Sequence, residues 1–326
     1  MNDETNSTAR ERDAGQPVAM GVFAPINGIE QWLTIRGADA RNPVLLIVSG
    51  PGAAFSAWPR FFAGWESHFA LVQWDQRGAG ATHQRNGRAV EGLSMEQLVR
   101  DGIAVIEHVR AALRKRKVAL LCFSAGTIVG LTIAKRRPDL ISAYVGSGQI
   151  VDWARQDALS YDLVLAQVRA RGDTAACTQL AAIGPPPYAD TATDAVKSQY
   201  AGAMTAAEAA ALGALDPAVL AELQAVPVEE LRARATAAYD VLRPEIVTFD
   251  AHRLGRDFHV PMFFLQGDLD VFTVTSEVEA YVEWVSAPLK RFVPVTGAGH
   301  GTFFMRDELL DLLEKHVRPV LRDAGE

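Results

Sequence analysis

The sequence predicts an α/β fold: a mostly parallel central sheet flanked by helices, with a helical cap inserted into it. Three observations predict it. Short apolar, strand-like runs at 44–48, 70–74, 117–122, 142–146, 261–266 and 290–295 are interleaved with segments of helical periodicity, the pattern of strands covered on both faces. The stretch 151–255 breaks that alternation, being alanine-rich, helical and without strand patterning before Pro261. Polar residues able to do chemistry fall in glycine-containing loops at the ends of the strand-like runs, and in parallel sheets such loops carry function.

Taken in order, residues 1–17 are polar and charged, without the apolar centre of a signal peptide, and read as a disordered tail. Asn27-Gly28 is a hairpin-turn dipeptide between two short strand patterns over 22–34. The strands at 44–48 and 70–74 bracket a helical stretch near 58–67. Ser94-Met95-Glu96-Gln97 has the form of a capping box and opens an amphipathic helix running to about Arg114. The strand 117–122 runs into a helical pattern over 127–137, and 142–146 is a further strand. Residues 18–150 and 256–326 thus form the core, and 151–255 the cap, punctuated by Gly184-Pro185-Pro186-Pro187, Pro217, Pro227 and Pro244.

The 326 residues, 35.3 kDa, suffice for one large α/β domain plus such an insertion. Two cysteines, Cys122 and Cys177, give no disulfide framework and fit a reducing cytoplasm. No apolar run reaches membrane-spanning length. A net charge of −7 argues against nucleic acid as a partner. Most of that charge lies in the cap, where 14 Asp and Glu face 8 Lys and Arg. Solvated helix faces account for such a surplus, and a negative rim steering an amine-bearing substrate is the functional alternative.

The chemistry concentrates on Ser124. The run 117–122 breaks at Phe123-Ser124-Ala125-Gly126 into a helix. A serine on a tight strand-to-helix turn has its hydroxyl clear of the sheet, with the N–H of Ala125 and the helix N-terminus aimed at the same space. The elbow is usually written G-x-S-x-G; here Cys122 takes the first glycine's place. Downstream, 261–266 ends in Gly267-Asp268-Leu269-Asp270, and 290–295 leads into Gly297-Ala298-Gly299-His300-Gly301. Serine, acid and histidine follow one another at the ends of strand-like segments, the chain order of serine-nucleophile α/β hydrolases. His300 would act as general base, and an aspartate would fix its tautomer. No metal or organic cofactor is needed for this chemistry.

Residues 43–52, ending Ser49-Gly50-Pro51-Gly52, resemble the strand and loop carrying H-G-G-P-G in proline iminopeptidase-like α/β-hydrolases, the serine aminopeptidase S33 type. Trp74-Asp75-Gln76-Arg77-Gly78-Ala79-Gly80 is similar to their D-Q-R-G-x-G turn. The resemblance covers about 43–150 and 259–319. It implies the α/β-hydrolase fold and an acyl-enzyme on Ser124, with the second oxyanion donor at Gly50 or its neighbour Ser49 beside Ala125. The family spacing G-x-x-D selects Asp270 over Asp268 as the acid and leaves Asp268 to organise the turn. Asp75 and Arg77 would tie down the loop beside the oxyanion turn. The family's His and first Gly are Val48 and Ser49 here, and the aromatic that commonly follows the nucleophile is Ala125. These departures leave serine-hydrolase chemistry intact and loosen the link to proline.

The remaining candidates have plainer readings. His83 is read as a loop histidine, His259 and His316 as structural or exposed, and His68 and His108 as lying on or beside helices without a catalytic partner. Trp153, Tyr161 and Phe272 are read as packing aromatics of the cap. Three functions stay open: a proline iminopeptidase-like aminopeptidase or amidase on a small-molecule or short-peptide substrate, an esterase or lactonase of small metabolites, and a non-catalytic binding protein on the same fold. An aminopeptidase needs a cap carboxylate for the substrate ammonium, and the cap offers too many to choose among.

Overall fold

The computed structural model describes residues 15–87, 92–225 and 228–323. All but the end of the expected 1–17 tail lies outside them. Eight strands form one sheet: β1 Val18–Ile26, β2 Ile29–Gly37, β3 Val44–Val48, β4 Ala70–Trp74, β5 Val118–Phe123, β6 Ile141–Ser147, β7 Met262–Gly267 and β8 Lys290–Val295. Their order is β1-β2-β4-β3-β5-β6-β7-β8. The β1–β2 and β2–β4 pairs are antiparallel and every later pair is parallel. Asn27 at φ 44° and Gly28 at φ 87° close the β1–β2 hairpin, the two positive dihedrals that match a tight turn to the strands' twist.

The central strands alternate between two cores with period two. Leu46, Val48, Leu120, Cys122, Tyr144 and Phe264 enter one core, with α2 Met95–Leu113 and α3 Gly126–Arg136 packed on it. Leu45, Ile47, Leu121, Val145 and Leu265 enter the other, beneath Phe61, Phe62, Trp65 and the helices α11 Arg306–Leu312 and α12 Arg318–Asp323. Both faces being covered, the strands read as continuous apolar runs.

The helix expected near 58–67 is absent. Its place is taken by short 3-10 turns at Phe55–Ala57 and Trp65–Ser67. Pro59 and Gly64, the latter at φ 95°, break helical continuity, and the buried aromatic rings fix the path instead. The capping box is half made: Ser94 Oγ accepts from Gln97 N, but the Gln97 amide turns to Asp101 at 2.7 Å. Two further helices, α1 Gly80–Asn86 and α10 Thr275–Trp284, follow β4 and β7.

Between β6 and β7 the chain forms α4 Trp153–Ala170, α5 Thr174–Ile183, α6 Thr191–Ala201, α7 Ala206–Gly213, α8 Pro217–Ala225 and α9 Val228–Ile246. The ends of this insertion are stitched together: Trp153 N donates to Phe249 O at 3.1 Å and Ala251 N to Val151 O at 2.7 Å. The insertion therefore leaves and rejoins the sheet at one place, beside the C-terminal ends of the parallel strands.

Candidate active site

Ser124 occupies the β5–α3 turn at φ 51°, a left-handed conformation that costs a side-chain-bearing residue about 1–2 kcal/mol. Ser124 N donates to Ser147 O at 3.0 Å, and Thr127 N and Oγ1 donate to Ser124 O at 2.8 and 2.5 Å. Those bonds hold the strained residue in place. Gly126 is required where α3 meets β3, since a Cβ there would lie 2.6 Å from Ser49 O. Cys122 is accommodated from the opposite side: its Sγ fills the space that a Cβ at Gly130 would need. A glycine inside α3 compensates for the missing glycine of the elbow.

His300 follows β8 and lies between Ser124 and Asp270. Its Nε2 is 3.0 Å from Ser124 Oγ, and its Nδ1 is 3.0 Å from Asp270 Oδ2. Asp270 also accepts from Phe272 N (2.8 Å), Thr273 N (2.9 Å), Thr273 Oγ1 (2.6 Å) and Gln266 Nε2 (2.8 Å). Burial alone would raise its pKa; the His300 charge and the hydrogen bonds from His300 and Thr273 outweigh it and hold the carboxyl below its ordinary 3.8. Phe272 stacks on the imidazole at 4.5 Å between centroids. Gly148 makes room on the ring's edge, where a Cβ would come within 2.9 Å of His300 Cε1. Asp268 stands apart, accepting from Gly297 N at 2.8 Å and so tying the β7 loop to the histidine loop.

Gly50 lies beside the elbow, its Cβ position 3.9 Å from Ala125 N. Among the described residues the N–H groups of Ala125 and Gly50 have no backbone partner. The Asp75-Gln76-Arg77 run supports this loop with a separate job for each side chain. Gln76 Nε2 donates to Ser49 O at 2.8 Å. Asp75 accepts from Ser56 Oγ at 2.6 Å and from Ala81 N at 2.8 Å, and burial raises its pKa. Arg77 pairs with the buried Asp101 at 3.0 Å and donates to Asn27 O at 3.2 Å.

Ser124 opens into a cavity of about 580 Å³. One side is aromatic, with Phe55, Phe61, Phe123, Phe303 and Phe304; Phe55 lies 6.0 Å from Phe123 and 5.6 Å from Phe303 between centroids. The other side is the cap, where Thr191, Asp194, Ala195 and Ser198 share one face of α6, with Trp153 and Tyr239 beside them. Asp194 is the cavity's one carboxylate among the described residues. Its neighbours stand off, with Tyr239 Oη and Ser198 Oγ at 3.3 Å and Lys197 Nζ at 3.9 Å. The buried Lys197 is paired instead with Asp157.

The fold thus brings Ser124, Ala125, Gly50, Asp270 and His300 to one point. The other histidines lie elsewhere. His83 is on α1 with a buried Nδ1, His259 is exposed, His68 pairs with Glu314, and His316 meets Arg291. Tyr161 belongs to the cap's own core, its hydroxyl on Leu180 O. Phe272 is not a cap residue: it follows β7 and covers the imidazole, a role that the hydrophobic pattern alone does not encode. Among the described acidic residues of the cap, Asp194 is the one that lines the cavity, which no local motif signals. No group of three or more His, Cys, Asp or Glu is gathered to hold a metal among the described residues. Nor is any described helix long and apolar enough to cross a membrane.

A mostly parallel sheet with an elbow serine and a helical insertion after β6 defines an α/β-hydrolase. The chain belongs to the serine aminopeptidase, S33, family, whose model matches residues 40–307, and it is a serine hydrolase of that class. It is 24% identical over 308 residues to "Probable aminopeptidase YbaC" of Bacillus subtilis (strain 168), covering 90% of this chain and 94% of that one. Its fold is similar to proline iminopeptidase of Mycobacterium smegmatis, with a TM-score of 0.67 at 18% identity over 94% of this chain and 100% of that one. It is also similar to a thermophilic esterase from Thermogutta terrifontis, with a TM-score of 0.54 at 16% identity over 93% and 99%.

Proposed function

We propose that the protein is an aminopeptidase-like amidase that releases a small N-terminal residue from a short peptide or amide through an acyl-enzyme on Ser124. The observation carrying this reading is the hydrogen-bonded line Asp270–His300–Ser124 opening into a cavity whose single described carboxylate is Asp194. His300 Nε2 takes the Ser124 proton as Oγ attacks the carbonyl carbon. Asp270 holds Nδ1–H and stabilises the imidazolium. The N–H groups of Ala125 and Gly50 receive the oxyanion, each worth on the order of 100-fold in rate. The imidazolium protonates the leaving amine, and water activated by the same His300 then releases the acid.

Asp194 would take the substrate ammonium. Its present hydrogen bonds are long, so a cation at that wall improves its solvation rather than disrupting a saturated network. The similarity to a probable aminopeptidase supports the aminopeptidase reading. The free thiols Cys122 and Cys177 support a cytoplasmic setting.

An esterase is the second reading, favoured by the aromatic wall of Phe55, Phe123 and Phe303. Purified protein assayed on prolyl and alanyl arylamides, free and N-acetylated, beside short p-nitrophenyl esters separates the two. Turnover of the free amines with loss on acetylation is expected. Equal rates on free and acetylated arylamides, or turnover of esters alone, would transfer the assignment to the esterase.

A further inference from the structure

We propose that Glu208, in the cap, is a positioning residue for His300, fastening helix α7 onto the loop that carries the imidazole. It rests on the serine-hydrolase reading above but not on the choice of amide over ester. The glycines of Gly297-Ala298-Gly299-His300-Gly301 give the first observation. A Cβ at Gly297 would come within 3.0 Å of Ala207 Cβ, one at Gly299 within 3.1 Å of Thr205 Cγ2, and one at Gly301 within 3.2 Å of Glu208 Oε1. Gly297 and Gly299 therefore admit the start of the same cap helix, only Gly297, at φ 79°, needing glycine for its own backbone, whereas a Cβ at Gly301 would meet the Phe304 ring first, at 2.9 Å. The glycine-rich motif around His300 is a seat for α7.

Glu208 is the bond within that seat. It is 1% exposed. Oε1 accepts from Gly299 N at 2.9 Å, and Oε2 accepts from Thr205 N at 2.8 Å, while Thr205 Oγ1 accepts from Glu208 N at 3.1 Å. A capping-box glutamate ordinarily serves its own helix alone. Here one oxygen caps α7, and the other holds the peptide N–H immediately before His300. Two carboxylates thus grip the histidine loop from opposite sides, Asp268 from the core at Gly297 N and Glu208 from the cap at Gly299 N. The same loop meets the acid, since Leu269 N donates to Ala298 O at 2.9 Å. A shift of Gly299 displaces the imidazole relative to both Ser124 and Asp270, and a misplacement of about 1 Å costs on the order of 100-fold in rate. The seating of α7 and the alignment of the base are thereby coupled.

The test uses the full-length protein, p-nitrophenyl acetate as a small ester, and the downfield proton resonance of the His300 Nδ1–H bond to Asp270. Glu208→Ala should lower kcat about 30- to 100-fold with KM within about twofold, and shift or broaden that resonance. Glu208→Gln, which keeps an acceptor for Gly299 N, should recover most of both. Thr205→Val, which removes the hydroxyl cap but keeps the methyl packing, should lower the melting temperature and leave kcat and the resonance near wild type. Should Glu208→Ala not fold, Glu208→Asp, which withdraws the carboxylate by one methylene, should show the same pattern at about tenfold. A folded Glu208→Ala or Glu208→Asp protein with wild-type kcat and resonance would overturn the proposal. So would losses in Glu208→Ala and Thr205→Val that merely track stability. If wild-type protein neither turns over esters nor labels with a fluorophosphonate, the hydrolase reading fails by itself, and the resonance still decides whether Glu208 sets the imidazole.

Discussion

Asp270 in the core and Asp194 in the cap are both buried carboxylates, the first behind His300 and the second in the cavity wall, and their surroundings are opposite. Asp270 has five donor groups within 3.0 Å, two of them backbone N–H. Among the described residues Asp194 has side-chain donors alone, none closer than 3.3 Å. A saturated carboxylate holds one geometry and serves an invariant step; an undersatisfied one in a cavity wall is free to bind a cation. The contrast extends to the regions that carry them. The core fixes its groups through strand ends and backbone bonds, whereas the cap presents its groups from one face of a helix.

Removing the nucleophile tests the core side of this comparison most severely. Ser124→Ala should abolish fluorophosphonate labelling and cut kcat by about 10⁴-fold or more; equal labelling of the two proteins would refute the covalent step. Asp270→Asn should follow closely, losing about 10⁴-fold in kcat through the wrong imidazole tautomer with the fold retained. Asp268→Asn should cost far less, because an asparagine oxygen still accepts from Gly297 N. A deader enzyme from Asp268→Asn would reverse the assignment of the acid.

On the cap side, Asp194→Asn should raise KM for a free-amine arylamide about 10- to 100-fold, the worth of a charge-assisted contact, and leave hydrolysis of p-nitrophenyl esters nearly unchanged. An equal fall on both substrates would mean that Asp194 shapes the cavity rather than reading the amine. Cys122→Gly should cost about 2 kcal/mol in an unfolding titration, from an unfilled space against Gly130 and a freer backbone. Its kcat should stay within about tenfold, and a larger loss in folded protein would implicate the thiol.

The smallest effect concerns acid. Because the Asp270 pKa is lowered on folding, its contribution to stability is present above the ordinary value of 3.8 and is lost as pH falls through the folded value. Denaturant titrations of wild type and Asp270→Asn should therefore converge below about pH 3.8. A constant gap down to lower pH would show that the carboxylate's hydrogen bonds are not what stabilise it.

Continuous apolar runs alternating with helical periodicity made the sheet and its order of elements legible in the sequence, because strands covered on both faces must be apolar throughout. The stretch 58–67 misled for the same reason: its apolar residues suit a helix, yet Pro59 and Gly64 turn them into aromatic plugs under the sheet. Ser124, His300 and an aspartate after β7 could be read from sequence because each sits where a strand ends, and a parallel sheet gathers such ends on one edge; the choice of Asp270 over Asp268 came from the family spacing, and the structure has Asp270 on His300 and Asp268 on Gly297. By itself the sequence determined the class of fold, the strained turn and the residues available for chemistry, all of which depend on neighbours in the chain. Tertiary structure alone decided that Phe272 covers the imidazole, that Gly130 accommodates Cys122, that Asp194 lines the cavity, and that Glu208 reaches Gly299 across 91 positions. None of these contacts is carried by local propensity: Cys122 meets Gly130 only when α3 folds back on β5, and the others join segments far apart in the chain, so they exist only once the elements have packed.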